Sequence, residues 1–260
     1  MSSGNLRKHE RFRSRFLHNQ RDLMVYTPPG YREQPARRFP VLYLHDGQNL
    51  FDGTTSFIPG QDWHVAQTAD ACINGRVVAP LIIVGMYNTK ARVREYTPTK
   101  VPKLGGGRAD RYARFLVEEV KPFVEREYRV LPGFRHTGIG GSSLGGLVSL
   151  YLGLKHSSIF GKIAALSPSV WWNQLFIHRF AEAMNLALRP RIWLDIGTRE
   201  GARMVEDVER FRDILLQKGW RLEQDLHYER VDGAEHNEAA WAQRVRPFLQ
   251  FLYPASPGAV

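Results

Sequence analysis

The pentapeptide Gly141-Ser142-Ser143-Leu144-Gly145 sets a serine at the centre of a G-x-S-x-G pattern, between a β-rich run ending near Gly140 and a helical pattern opening near Leu144. A serine hydroxyl acts as a nucleophile when it stands clear of a tight strand-to-helix turn beside a general base, and flanking glycines remove the β-carbons that would collide there. The register makes Ser143, and not Ser142, the central residue. Amides at the start of the following helix face the same point, which suits a developing oxyanion. An early loop, Leu44-His45-Asp46-Gly47-Gln48-Asn49, bends at Gly47, so the expected oxyanion donors are the Gln48 and Leu144 amides.

A base and an acid follow in chain order. His236 closes Val231-Asp232-Gly233-Ala234-Glu235-His236, a Gly-containing loop ahead of a C-terminal helix, where an imidazole has room to swing between serine and leaving group. The acid comes from Asp195-Ile196-Gly197-Thr198-Arg199-Glu200. Glu200 lies past the turn, where its longer side chain can reach back to the imidazole, and is preferred. Asp195 lies within the strand and reads equally as a buried structural carboxylate, so it stays open as the alternative acid. Asp232 is so close to His236 that turn formation is its expected job. Together these groups point to acyl transfer through a covalent intermediate.

No metal and no cofactor is expected. His45 and Asp46 lack further clustered ligands, and the single Cys72 builds neither a thiolate zinc site nor a disulfide. There is no G-x-G-x-x-G loop opening a helix and no G-x-x-x-x-G-K; Gly105-Gly106-Gly107 lies in a polar loop and reads as flexible.

The elements that position these residues follow from hydrophobic periodicity. Apolar runs at 41–44, 81–84, 137–140, 162–166 and 191–196 read as parallel strands buried on both faces, with a last strand over 226–231. Helices are expected from Asp110 to Tyr128, kinked or delayed by Pro122, then over 143–156, 204–218 and 238–253. That alternation means an α/β fold with a mainly parallel, doubly wound sheet. Residues 11–17 and 22–27 read as an antiparallel hairpin at one sheet edge. No repeat or linker divides the chain, so 1–260 reads as one domain, with residues 1–10 and 254–260 expected to be flexible.

Hydrophobic residues make up 43% of the 260 and charged residues 24%, which excludes a disordered chain. Without an apolar span or h-region, neither a membrane protein nor a secretory leader is expected, and the lone cysteine suits a reducing cytoplasm. The 36 Lys+Arg against 26 Asp+Glu give a net charge of +10. The basic residues are interleaved with acids along the chain, without a nucleic-acid-binding motif, so no nucleic-acid partner is expected. The expected partner is a small-molecule ester, with the oligomeric state open, a homodimer included.

The segments Tyr-Thr-Pro-Pro-Gly-Tyr (Tyr26 to Tyr31), Leu-Tyr-Leu-His-Asp-Gly-Gln (Leu42 to Gln48), Glu-Tyr-Thr-Pro (Glu95 to Pro98), Gly-Gly-Ser-Ser-Leu-Gly-Gly (Gly140 to Gly146) and Gly-Ala-Glu-His-Asn (Gly233 to Asn237) together resemble the putative-esterase family. That family groups esterase D, enterochelin (siderophore) esterases, feruloyl esterase domains and, more distantly, mycolyltransferases. The resemblance spans about residues 20 to 252. It implies an α/β-hydrolase fold, Ser143 as nucleophile, His236 as base, and Gln48 and Leu144 as oxyanion donors. Gly197-Thr198-Arg199-Glu200 stands where relatives carry Gly-Thr-Asn-Asp or a glutamate, which supports Glu200 while departing from the commoner aspartate.

Trp171 and Trp172, after the strand ending at Ser167-Pro168, read either as an aromatic wall for an aryl or sugar-linked ester or as packing. Arg92 and Arg94, ahead of Tyr96, and Arg199 could attract an anionic or catecholate substrate. The resulting expectation is a serine carboxylic-ester hydrolase acting on an aryl, siderophore or carbohydrate-linked ester. An acyltransferase with the same triad and a non-catalytic binding module are the alternatives.

Overall fold

The apolar runs become the centre of an eight-stranded sheet in the computed structural model, which describes residues 3–185 and 187–255. The strands are β1 (Asn5–Ser14), β2 (Asn19–Thr27), β3 (Val41–His45), β4 (Ile82–Met86), a short separate hairpin of β5 (Lys100–Val101) and β6 (Gly105–Gly106), then β7 (Thr137–Ser142), β8 (Lys162–Leu166), β9 (Arg191–Gly197) and β10 (Leu226–Val231). The main sheet runs β1-β2-β4-β3-β7-β8-β9-β10; β1 and β2 are antiparallel, and β4 through β10 are parallel.

Side chains alternate across a strand, so each parallel strand feeds two cores. Val41, Tyr43, Ile139, Ile163 and Leu194 join one cluster, and Leu42, Leu44, Ala164, Leu166 and Trp193 join the other. The first core is covered by α3 (Ala109–Arg114), α4 (Lys121–Glu127), α5 (Leu144–Lys155), α6 (Trp172–Ala183) and α7 (Ala202–Gln217), and the second by α1 (Val65–Asn74) and α9 (Val245–Leu252). Two short helices remain, α2 (Arg92–Glu95) and α8 (Glu238–Ala242), the latter adding Trp241 to the second core.

Three expectations are corrected. Residues 5–10, expected as a flexible end, form most of β1, because pairing with β2 supplies the backbone partners that a polar sequence does not advertise. Residues 256–260 of the expected tail lie outside the described residues. The helix over 110–128 keeps its length around Pro122 through a π-helical stretch, Phe115–Val120, ahead of α4. A wider turn accommodates the missing proline N–H and its ring. The helix expected over 238–253 is two helices, α8 and α9, with the break at Gln243 and Arg244. Pro247 in the first turn of α9 cannot continue a helix arriving from residue 243.

Because β3, β4, β7, β8, β9 and β10 all run the same way, the loops after their carboxyl ends gather at one edge of the sheet. The loop after β3 lies tight against β4: a β-carbon at Gly47 would sit 2.5 Å from the Gly85 carbonyl carbon. Gly47→Ala should therefore destabilise the fold by about 1–3 kcal/mol through overpacking, read as a lower urea midpoint at an unchanged slope.

Candidate active site

Ser143 occupies the turn between β7 and α5 with φ 57° and ψ −123°, a conformation L-residues adopt only when the surroundings hold them. The surroundings do so on both sides. Its N–H donates to the Leu166 carbonyl at 3.0 Å, and its own carbonyl accepts from Leu147 and Ser169 amides, each at 3.0 Å. A β-carbon on Gly141 would lie 3.1 Å from the Gly145 carbonyl carbon, so the motif's glycines let the turn close on itself. Ser143 Oγ lies 3.3 Å from Ser169 Oγ.

The loops after β9 and β10 are stitched together. The Arg199 amide donates to the Ala234 carbonyl at 3.0 Å, and Thr198 Oγ1 accepts from the Gly233 amide at 2.8 Å while donating to Asp232 Oδ1 at 3.2 Å. This stitching sets His236 Nδ1 2.6 Å from Glu200 Oε2. His236 also meets the edge of Trp241, with ring centroids 4.9 Å apart at 82°.

The Glu200 side chain is 0% exposed. Its Oε1 accepts from Ser167 Oγ at 2.5 Å and the Gly197 amide at 2.9 Å. Ser167 is itself saturated, because its hydroxyl oxygen accepts from Trp241 Nε1 at 3.1 Å and Arg244 Nη1 at 2.8 Å. Burial pushes the Glu200 carboxyl up, but the hydrogen bonds from His236, Ser167 and Gly197 and the charge of His236 outweigh it, holding the group below the usual glutamate range.

Asp195 turns away from the imidazole. Its carboxylate takes Arg244 Nη1 at 2.6 Å, Trp193 Nε1 at 2.7 Å and the Ser167 amide at 3.0 Å, all buried. Burial pushes this carboxyl above the usual range against the pull of Arg244.

Ser143 and His236 line one cavity of about 230 Å³, together with Asp46, Asn49, Phe57, Ile58, Asn88, Arg92, Ser142, Glu238 and Trp241. Several of its polar groups are prefixed. Arg92 forks onto Asp46 (Nε to Oδ1 2.8 Å, Nη2 to Oδ2 2.7 Å), and Asn88 Nδ2 donates to the same Oδ1 at 2.6 Å. Despite burial, the charge of Arg92 and these bonds keep the Asp46 carboxyl below its ordinary pKa. Burial and the charge of Asp46 push Glu238 the other way, against His236 and Arg92. Gln48 stands in the 3₁₀ turn Gly47–Asn49, and Leu144 is the first residue of α5; neither backbone amide has a partner among the described residues.

Residues 14–252 match the family described as Putative esterase. This chain belongs to that family. It is a carboxylic ester hydrolase. The chain is similar to the uncharacterised protein YbbA of Bacillus subtilis, 26% identical over 267 residues that cover 96% of each chain. It is also similar to the ferri-bacillibactin esterase BesA of the same organism, 34% identical over 168 residues, or 58% of this chain and 53% of that protein. Among solved structures, the BES protein from Bacillus cereus shares the fold with a TM-score of 0.76 at 23% identity, covering 97% of this chain and 95% of that one.

Of the six residues expected to touch substrate in this esterase, Arg92 lines the cavity that holds Ser143, with its guanidinium committed to Asp46, and the other five do not. Trp172 is buried, with Nε1 donating to the Thr99 carbonyl at 3.0 Å, and Trp171 is 40% exposed beside it. Tyr96 is buried beneath the site, its hydroxyl accepting the Asp46 amide at 3.3 Å and its ring under Arg92. Arg94 lines a separate depression beside the β5–β6 hairpin, and Arg199 is exposed with its guanidinium 3.9 Å from Glu235. Sequence reasoning missed Asn49, Phe57, Asn88, Glu238 and Trp241, although Asn237-Glu238 and Trp241 directly follow the histidine motif. Among the described residues, no group of three or more His, Cys, Asp or Glu is placed to hold a metal ion, and no helix is long and apolar enough to cross a membrane.

Because the folded-state pKa of Glu200 lies below the ordinary 4.5, its ionised form stabilises the fold fully above that pH, and the contribution is lost as pH falls through the folded value. Glu200→Gln should lower unfolding free energy at pH 7 by about 1–3 kcal/mol, with the gap to wild type closing in acid. Denaturant titrations across that range check it, and a gap independent of pH contradicts it.

Proposed function

We propose that the esterase works through a Ser143–His236–Glu200 triad and an acyl-enzyme intermediate. The observation that carries this reading is the 2.6 Å contact between a buried, ionised Glu200 and Nδ1 of His236, which lines the same cavity as Ser143. A carboxylate on Nδ1 fixes the tautomer, leaving Nε2 as the base. His236 takes the Ser143 proton as Oγ attacks the ester carbonyl, and the tetrahedral oxyanion rests on the Leu144 and Gln48 amides. The imidazolium then protonates the departing alcohol. Water, deprotonated by the same imidazole, attacks the acyl-serine and releases the acid. Glu200 stays ionised throughout and stabilises the imidazolium.

The free amides of Gln48 and Leu144 support the oxyanion assignment, since each lies in a loop that the sheet brings to the same edge. A siderophore ester is the substrate class favoured by the likeness to the ferri-bacillibactin esterase, and the prefixed Asp46–Arg92 wall fits a substrate rich in polar groups.

Ser143→Ala should lower kcat/KM on p-nitrophenyl butyrate by about four orders of magnitude or more, and should abolish covalent labelling by a fluorophosphonate. Glu200→Gln should keep the label but lower kcat by roughly two to four orders of magnitude, with KM changing little. Turnover or labelling that survives in Ser143→Ala contradicts the assignment.

A further inference from the structure

Glu238 lies two residues beyond His236 at the first position of α8, 4% exposed, yet in the wall of the cavity that holds Ser143. Its carboxyl is fixed by one neighbour. Asn49 Nδ2 donates to Oε1 at 3.1 Å. The direction of the Asn49 amide is set in turn, because its Oδ1 accepts the Phe57 amide at 2.9 Å and Ser56 Oγ at 3.4 Å. Glu238 Oε2 has no partner on any other described residue. Apart from the residue's own backbone amide and Asn49, no described donor meets this carboxyl, and because it lines the cavity an O–H or N–H group of a bound molecule can reach it.

The same asparagine hangs the lip of the cavity. Phe57 lies 81% exposed at its rim with its backbone tied to Asn49, and Ile58 lines the cavity beside it. An acceptor in the wall and an apolar lip over it therefore share one anchor. Among the other charged groups of the wall, Asp46 is already paired with Arg92, and His236 with Glu200. Glu238 is left as the carboxylate available to substrate.

We propose that Glu238 is a specificity-determining residue of this esterase, accepting through Oε2 a hydrogen bond from an O–H or N–H group of the substrate, so that hydroxy- or amido-substituted esters are selected over plain alkyl and aryl esters. The proposal rests on Ser143 being the nucleophile. Asn49 acts as a positioning residue for it.

The test uses ester pairs that differ by one hydroxyl. On the acyl side these are p-nitrophenyl butyrate and its β-hydroxy counterpart; on the alcohol side, ethyl benzoate and glycol monobenzoate. Wild type should favour the hydroxylated member of at least one pair by about tenfold in kcat/KM, mainly through KM, as one hydrogen bond to a charged acceptor gives. Glu238→Gln, which turns an N–H donor toward the cavity while an oxygen still meets Asn49, should bring that ratio close to one, and so should Glu238→Leu. Where the leucine variant fails to fold, the glutamine variant decides. A purely structural or electrostatic role would slow both members of a pair equally. No preference in wild type, or a preference that survives Glu238→Gln, overturns the proposal. Fluorophosphonate labelling of Ser143 in each protein separates the two failures: labelled protein without the preference rejects the role of Glu238 alone, and an unlabelled wild type rejects the nucleophile on which it rests.

Discussion

In the proposed triad the Glu200 carboxylate has to stay ionised with none of its side chain exposed, because a neutral acid would no longer hold the imidazole charge that would build during acyl transfer. Desolvation alone would push it toward the protonated form. The hydrogen bonds from His236, Ser167 and Gly197 resolve this conflict. The single O–H of Ser167 is committed to Glu200 Oε1 because its lone pairs are filled by Trp241 and Arg244, so the hydroxyl cannot rotate to another acceptor. Arg244 stands in the break between α8 and α9, and its charge is balanced by Asp195 at 2.6 Å. Asp195 holds the buried arginine closely, while Glu200 takes the histidine and has Arg244 Nη2 3.7 Å from its Oε1. Removing either partner of the Asp195–Arg244 pair would leave an unpaired buried charge, so the support of Glu200 is inseparable from the stability of this sheet edge.

The sheet provides the second constraint. Six parallel strands deliver their following loops to one edge, and each loop contributes something distinct: the Gln48 amide after β3, Asn88 and Arg92 after β4, Ser143 and the Leu144 amide after β7, Ser167 and Ser169 after β8, Glu200 after β9, and His236 with Glu238 after β10. A wall built from backbone and side chains on rigid strand ends needs little reorganisation when charge develops, which is the condition for electrostatic catalysis. The tight approach of Gly47 to β4 fixes the loop that carries Gln48, and the strained Ser143 backbone is held by three hydrogen bonds from or to neighbouring turns.

What the sequence made legible was local in character. The Ser143 turn is visible because so tight a strand-to-helix turn needs glycines within two residues, and the strands are visible because burial on both faces leaves uninterrupted apolar runs. His236 and Glu200 follow from loop position and chain order, and the structure places them together. Partners distant in sequence were not legible. Asp46 and Arg92 are 46 residues apart, and Asp195 and Arg244 are 49 apart, with no periodicity to connect them. Trp171 and Trp172 misled because an aromatic pair after a strand looks the same whether it faces a cavity or a hairpin; here Trp172 packs so closely on Gly106 that a β-carbon there would lie 2.8 Å from its ring. The charged sequence of β1 hid a strand whose order comes from pairing with β2 and not from its own composition.

The central claim is that Glu200, and not Asp195, holds the His236 imidazole. The most direct measurement is the proton NMR spectrum of the exchange-protected imidazole N–H, assigned by its loss in His236→Ala. The account predicts a strongly deshielded signal in wild type that disappears in Glu200→Gln and persists in Asp195→Asn. A signal that survives in Glu200→Gln but is lost from folded Asp195→Asn would contradict it.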